Sequence, residues 1–517
     1  MKGEGYLLPM MTYHVHTVSR REDGILKRGK SRSRRGGWKA GMGVLILIVL
    51  GVGGGGLSLV WSSGYGTVEI LRYLGHRAEG HPRLERITRP LFAEILTLMG
   101  ESSLAADEPP PPFYVPPPPV RWGAATMAAD EADGWLRPYL PGLVWPAPKV
   151  NPRVLRVGPH QPIQSISVAA ASARDGDVVE IEAGDYHLDV AAVWTQDRLT
   201  IRAVGGAVRL FADGNSAEGK AIWVIRGGNI QIEGIGFLNA RVADRNGAGI
   251  RFEQGNLWLR HCLFYASENG LLTSDNDQAS LVIEDSEFGY DGAGDGYSHD
   301  LYVGKIKFLG VVGSYFHHAN VGHLFKSRAL TTVLLYSRLT DESGGRASYE
   351  LDLPNGGMAL VLGSVIQQGM DTENTTVISY GEEGLGKLDN RLVLSSNTLV
   401  NDKAMAGAFL RAPQAVEVTS VNNLLVGFGD YHVQGSLVRT NDQNVNWEVF
   451  HQPMRQDYRL NAPVPDSLRY VVPVAVTGLP WDIVPQAEMP LPGRLQQLKG
   501  APRYVGAEQS VWSGGPR

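Results

Sequence analysis

A chain of 517 residues is too long for one compact core, which leaves either several domains or an elongated repeat whose core grows along one axis. Its 63 glycines, without a collagen period, favour the repeat, because short strands joined by tight turns use glycine at that density. Net charge is -5, yet residues 1 to 39 carry ten Lys or Arg against three acidic side chains, which leaves the remainder near -12 by subtraction. That balance argues against a broad nucleic-acid or polyanion footprint on the main domain, because tracking phosphates or uronates needs a net positive surface, and leaves room only for a local basic patch.

In chain order, residues 1–39 are expected to form a basic cytoplasmic tail. From Ala40 to Trp61 no residue is charged, and Val44 to Val52 is almost wholly aliphatic, which suits a helix crossing a bilayer core of ~30 Å. The preceding Lys27, Arg28, Lys30, Arg32, Arg34, Arg35 and Lys39 place the N-terminus inside and everything after Trp61 outside. No small-x-small cleavage site follows the apolar run, so the expectation is an uncleaved, single-pass inner-membrane anchor with the main domain in the periplasm or beyond. Residues 62–103 suggest a short membrane-proximal helical segment, with Val68, Ile70, Leu71, Leu74, Leu91, Ile95 and Leu96 on apolar faces and a break at Pro82. Residues 104–151 form a Pro-rich linker whose core, Pro109 to Pro119, is expected to be a stiff polyproline II spacer.

Residues 152–438 repeat. Two alternating apolar residues lead to a small or polar residue and, two positions later, to a large apolar one. The closing column runs Phe237, Phe264, Phe288, Phe316, Leu339, Ile366, Leu399 and, after a one-residue slip, Leu424. Its steps of 27, 24, 28, 23, 27, 33 and 25 residues, each containing strand alternation, indicate stacked β-coils. Parallel strands joined by crossovers run right-handed, so the fold class is all-β, a right-handed parallel β-helix solenoid. Two places before each closing residue stands Ile235, Cys262, Ser286, Ser314, Ser337, Ser364, Asn397 and Asn422, a ladder able to hydrogen-bond between rungs. Cys262, the single cysteine, belongs to that ladder and is expected to be a buried structural thiol. Residues 439–517, with Trp447, Trp481 and Trp512, are expected to form an irregular tail that covers or caps the solenoid.

The opening GDVVEIEAGDYH and the coils from Leu155 to Val438 resemble the pectate-lyase-like right-handed β-helix superfamily. That superfamily includes polysaccharide lyases, glycoside hydrolases, uronan epimerases and non-catalytic surface proteins, so the resemblance implies polysaccharide as partner without selecting a chemistry.

A second strand in each unit aligns Ile250, Leu271, Leu301, Phe325, Leu351 and Ile378 as inward residues. Their successors Arg251, Leu272, Tyr302, Lys326, Asp352 and Ser379 then face outward. Strict alternation puts Asp300, Leu324 and Glu350 on the same outer face, and His299, His323 and Tyr349 in an inward or edge column. The stretch FKSRA adds Arg328, ~6.6 Å along the strand from Lys326. Uronan β-elimination needs a base, an acid for the leaving oxygen and a cation at the carboxylate. Lys326 as base, Tyr302 or His323 as acid and Arg328 as neutraliser supply these roles, with Asp300, Glu350, Asp352 and Glu382 as substrate-binding groups. FKSRA is similar to the lysine strand of alginate lyases and chondroitinase B in polysaccharide lyase family 6. Where that family carries a second catalytic arginine one coil on, this chain has Glu350 and Asp352, and Asp352 tends to keep Lys326 protonated.

Two alternatives stand beside the lyase. One is a non-catalytic carbohydrate-binding or structural envelope protein, with Lys326 salt-bridged between Tyr302 and Asp352 and Arg328 near Glu350. The other is an inverting glycoside hydrolase using Glu350 and Asp352, spaced ~6.6 Å apart. No nucleotide-binding motif is present, and no cofactor is expected. His317, His318 and His323 lack convergent spacing for zinc, while Asp275, Asp277, Asp291 and Asp295 lie in turns where Ca2+ is an option.

Overall fold

A computed structural model describes residues 149–514, apart from 387–388, 404–406, 474–475, 477 and 480. The basic tail, the anchor over 40–61, the helical segment over 62–103 and nearly all of the linker lie outside the described residues. Among the described residues no helix is long and apolar enough to cross a membrane.

Parallel rungs stack from Val154–Val157 to Gln443–Val445 as in a right-handed parallel β-helix. Two faces of the coil belong to one 21-stranded sheet, joined where the long strands Val178–Tyr186 and Leu199–Phe211 bend from one face to the other. The third face is a separate ten-stranded sheet that runs from Ala192–Trp194 to Asp430–Val433. A short helix, Ile166–Ser172, capped by Ser165 at its N-terminus, buries Ile166 and Ala169 against the first rungs.

The corner between the first two faces sets the register. One residue per coil adopts a left-handed conformation there, including His261 (φ 51°), Asp285 (φ 40°), Tyr336 (φ 46°), Ser396 (φ 52°) and Asn422 (φ 56°). At Gly313 (φ 59°) the absent side chain also makes room for the tail, since a Cβ would stand 2.6 Å from Leu495. The next residue points inward and accepts a backbone N–H from the rung before. Cys262 N donates to Ser286 Oγ at 3.0 Å, Ser286 N to Ser314 Oγ at 3.2 Å, and Ser314 N to Ser337 Oγ at 3.1 Å. The series continues through Ser364 and Asn397 to Asn423, with Asn397 N donating to Asn423 Oδ1 at 2.7 Å.

The one-residue slip expected at the last coil is therefore absent. Asn422 is the corner residue, Asn423 carries the ladder, and Leu425 rather than Leu424 pairs with Leu399 in the core. The asparagine doublet conceals which of its members is inside.

Below the ladder Phe237, Phe264, Phe288 and Phe316 stack with centroids 5.2, 4.4 and 4.7 Å apart. Each such contact is worth roughly 0.5–1.5 kcal/mol beyond the area it buries. Cys262 is fully buried, and burial pushes its thiol up to about 12, so it is an inert part of this column.

Beyond the last rung the chain returns along the outside. Trp481, Ile483, Met489 and Leu495 cover outward apolar residues such as Val333, Leu335, Leu360 and Val393. A second patch, Phe450, Tyr458, Leu460 and Val505, covers Val365, Val400 and Leu424. Arg338, wholly buried between rungs and tail, donates to Met489 O at 2.9 Å and pairs with Glu508 at 3.0 Å.

Opposite the ladder, where the ten-stranded sheet bends toward its neighbour, the interior holds several acids. Asp291, Asp300, Asp341 and Glu350 are fully buried, and neither carboxyl oxygen of Asp300 has a hydrogen-bond partner. Burial raises all four, Asp341 to about 7. An acid raised on folding binds more protons folded than unfolded, so its contribution erodes as pH climbs from the ordinary carboxylate value of about 4 toward the folded one. For Asp341 the erosion is complete near pH 7 and amounts to at most about 4 kcal/mol. Asp341→Asn is expected to gain stability relative to wild type as pH rises from 4 to 7. Urea midpoints measured across that range check it, and a difference independent of pH would contradict it.

Candidate functional site

The strand His323–Ser327 shows how the site is built. Phe325 and Lys326 pair with Leu301 and Tyr302 on one side and with Leu351 and Asp352 on the other, so Tyr302, Lys326 and Asp352 form one outward column. The strand enters this face through a bend, however, and two consecutive residues, Leu324 and Phe325, both lie in the core. Alternation fails at that point, and the neighbouring outward residues come three positions before the column instead of two. They are His299, His323 and Tyr349, all lining the cleft.

This corrects the sequence expectation for two residues. Asp300 and Glu350 occupy the inward positions of the bend and are fully buried, Glu350 accepting from Thr372 Oγ1 at 3.3 Å. Neither reaches the cleft as a substrate-binding group. The Glu350–Asp352 pair of a hydrolase does not form, since the two carboxyls lie on opposite sides of the strand. Arg328 accordingly finds a different partner from Glu350.

The structure brings Tyr302, Lys326, Arg328, His323, Asp352 and Glu382 together around a cleft of about 920 Å³. Lys326 Nζ lies 3.0 Å from Asp352 Oδ2 and 2.7 Å from Glu383 Oε1. Arg328 Nη2 donates to the other oxygen of Glu383 at 2.5 Å, its Nη1 to Asn355 Oδ1 at 2.7 Å, and its Nε to Tyr302 Oη at 3.1 Å. One carboxylate thus spans two cations. Glu383 is 46% exposed at its side chain, whereas Lys326 is 9% exposed. Its loop is pinned by Glu383 N to Pro354 O at 3.0 Å and by Asn355 Nδ2 to Gly384 O at 2.9 Å.

Burial alone lowers Lys326, but Asp352 and Glu383 more than reverse this, and the ammonium sits above its ordinary value. Burial acts to raise Asp352 and Glu383, but the hydrogen bond from His323 and the charge of Lys326 for the first, and Lys326 and Arg328 for the second, hold both below the usual carboxylate range. In this state Lys326 is a charge donor with no free lone pair.

The imidazoles behave differently. His299 Nδ1 accepts the backbone N–H of His323 at 3.0 Å and faces His323 Nδ1 at 3.0 Å, while His323 Nε2 lies 3.3 Å from Asp352 Oδ2. Burial lowers both rings, His299 strongly with Lys326 and Arg328 adding to the effect, and His323 against the opposing pull of Asp352. His299 is therefore neutral near pH 7, and as Nδ1 is an acceptor its proton resides on Nε2. The two rings lie at 80° with centroids 4.5 Å apart, and each also stacks on a tyrosine, His299 on Tyr302 and His323 on Tyr349.

Sequence reasoning set His299 and Tyr349 in an inward or edge column and missed Asn355. Tyr297, 87% exposed at the lip of the cleft, was also unmarked. A signal existed for the first two: polar rings recur at 299, 323 and 349, each three residues before the outward column. His318 stands at a left-handed corner (φ 55°), with its ring 2.8 Å from His317, away from the cleft. Asp275 and Asp295 accept backbone N–H groups in turns, from Lys305 and Tyr297. Among the described residues no group of three or more His, Cys, Asp or Glu is placed to hold a metal ion.

No family model matches the chain, and no curated protein matches it by sequence. Solved structures do resemble it in fold. Pectate lyase Pel9A matches at 13% identity with a TM-score of 0.46, covering 69% of this chain and 97% of its own. A rhamnogalacturonan lyase matches at 12% identity and TM-score 0.36, over 61% of this chain and 95% of its own. The pectin methylesterase from Aspergillus niger matches at 10% identity and TM-score 0.29, over 59% and 88%. These are likenesses of architecture. The chemistry of the cleft is left to its own residues.

If the two carboxylates hold Lys326 charged, the Asp352→Asn/Glu383→Gln double variant should reverse the direction of its shift, because burial then acts unopposed. Titration of the Lys326 Nζ resonance in 15N-lysine-labelled protein checks this. A lysine still above its ordinary value in the double variant would show that other groups govern it.

Proposed function

We propose that the protein binds an acidic polysaccharide in this cleft and cleaves it by β-elimination. One observation carries the reading: Lys326 and Arg328 already share a carboxylate, each taking one oxygen of Glu383. A uronate carboxylate has the same shape and charge, and an arginine with a neighbouring lysine recognises it by charge-assisted bonds.

In this reading the uronate carboxylate takes the seat of Glu383. Lys326 and Arg328 then stabilise the negative charge that spreads into the carboxylate as the adjacent C–H bond breaks. The electron pair of that bond forms the new carbon–carbon double bond, and the glycosidic oxygen leaves with a proton. Tyr302 and the His299–His323 pair divide the two proton transfers. Both lie beside the cations at the cleft surface, and Asp352 steadies His323 from behind. The role of base, expected of Lys326, passes from it because its lone pair is taken.

The saturation of Lys326 also favours a second reading, a non-catalytic carbohydrate-binding protein in which the same cations only hold the polymer. The two separate cleanly. Wild-type protein incubated with alginate, pectate and glycosaminoglycans should generate the ultraviolet absorbance of an unsaturated uronate. Tyr302→Phe should slow that appearance about 100-fold or more while leaving binding within a few fold. Arg328→Ala should weaken binding instead. Retention of the polymers without any new absorbance would support the second reading, and neither retention nor cleavage would remove both.

A further inference from the structure

The outward column of the ten-stranded sheet extends well past the central pair. Register carries it from Arg251 through Leu272 and Tyr302 to Lys326, and onward through Asp352 and Ser379 to Arg411. Each arginine is three rungs from Lys326, or ~14 Å at ~4.8 Å per rung along the solenoid axis.

These two arginines differ from Arg328. Arg328 is fully engaged by Glu383, Asn355 and Tyr302, whereas among the described residues Arg251 and Arg411 have no side-chain partner. Arg251 lines the cleft with its Nε buried and unbonded, a state that proteins avoid unless a ligand or water completes it. Arg411 is exposed, and its field reaches Tyr349 at the cleft wall. Between the cations the floor is uncharged or compensated. Leu272 and Ser379 are buried, and Asp352 is neutralised by Lys326. Two further acids face the cleft: Asp275, bound to the Lys305 N–H, and Glu382.

We infer that Arg251 and Arg411 are outlying anion contacts for a single acidic polysaccharide chain lying along the solenoid axis. One rung is roughly the advance of one sugar residue in an extended chain, so carboxylates about three residues apart meet Arg251, the Lys326–Arg328 seat and Arg411 in turn. The span of six rungs, ~29 Å, calls for a ligand on the order of seven residues. This deepens the proposed function and rests on its central carboxylate seat. The outer contacts add affinity and register, while the seat alone handles short ligands.

Calorimetric titration of the full chain with trimers and octamers of galacturonate and of alginate uronates tests it. For whichever polymer binds, the octamer should bind at least tenfold more tightly than the trimer. Arg251→Gln/Arg411→Gln should erase that gain and leave the trimer affinity unchanged, and Arg251→Lys/Arg411→Lys should restore part of it. Equal affinity of trimer and octamer for wild type would overturn the inference while sparing the central seat. So would equal losses for both lengths in the double glutamine variant. Binding of neither length of any uronate, in wild type or variants, would overturn the seat and the inference together.

Discussion

A backbone N–H donated to a side-chain oxygen one rung on is the contact from which the rest of this structure follows. Each coil turns its corner through one left-handed residue, and the polar residue behind it is then forced inward, where only the adjacent rung can satisfy it. A buried oxygen or N–H left unpaired is penalised by about 1–3 kcal/mol, so a coil that slipped by one residue would lose this bond and reverse its core face together. Ser286, Ser314, Ser337, Ser364, Asn397 and Asn423 thus act as register pins, and the serines among them also donate to the carbonyl two residues earlier in their own strands, as Ser286 does to Glu284. The stacked phenylalanines contribute more hydrophobic stabilisation, but a greasy column by itself tolerates sliding.

Much of this was legible. The closing column and the inward column of the second strand fell out of spacing alone, because a residue repeated at the same place in every coil has only one environment available to it. The corner was harder. Left-handed positions are filled here by His261, Asp285, Tyr336 and Ser396 as well as by glycine, so no residue type marks them. The doublet Asn422–Asn423 offered two equivalent candidates, and only the hydrogen bonds separate them. The misplacement of Asp300 and Glu350 has a different origin. Alternation is a property of straight strands, and the bend before Phe325 spends one residue, Leu324, on turning inward, which carries the acids inside and the imidazoles out. The pairing of Glu383 with Lys326 was beyond reach for a third reason: Glu383 belongs to a loop, 57 residues from Lys326 in sequence, whose course no periodicity describes.

Charge at the centre of the cleft is arranged so that Lys326, Arg328, Asp352 and Glu383 each have a counterpart, and this shapes what the cleft can do. Lys326 is ready to attract anions and unready to accept protons. The neutral imidazoles have the opposite character, kept so chiefly by burial. Acidic groups sort just as sharply by the side of the strand on which they lie. Asp352 and Glu383 remain ionised on the outer side with cations beside them, while Asp300, Asp341 and Glu350, one strand thickness away, are pushed toward the protonated form by burial. A single β-strand therefore separates two electrostatic regimes.

The spread of coil lengths, from 23 to 33 residues between closing positions, acquires a meaning once the corner is recognised as the fixed point. Extra chain accumulates in the connections, while the floor of every rung keeps its height on the axis. Glu382 and Glu383 belong to the longest of these coils, between Ile366 and Leu399, and form a wall of the cleft. Such a wall can grow, shrink or exchange residues without displacing Lys326 by so much as a rung. The architecture thereby uncouples the outline of the entrance from the positions of the charged groups on its floor.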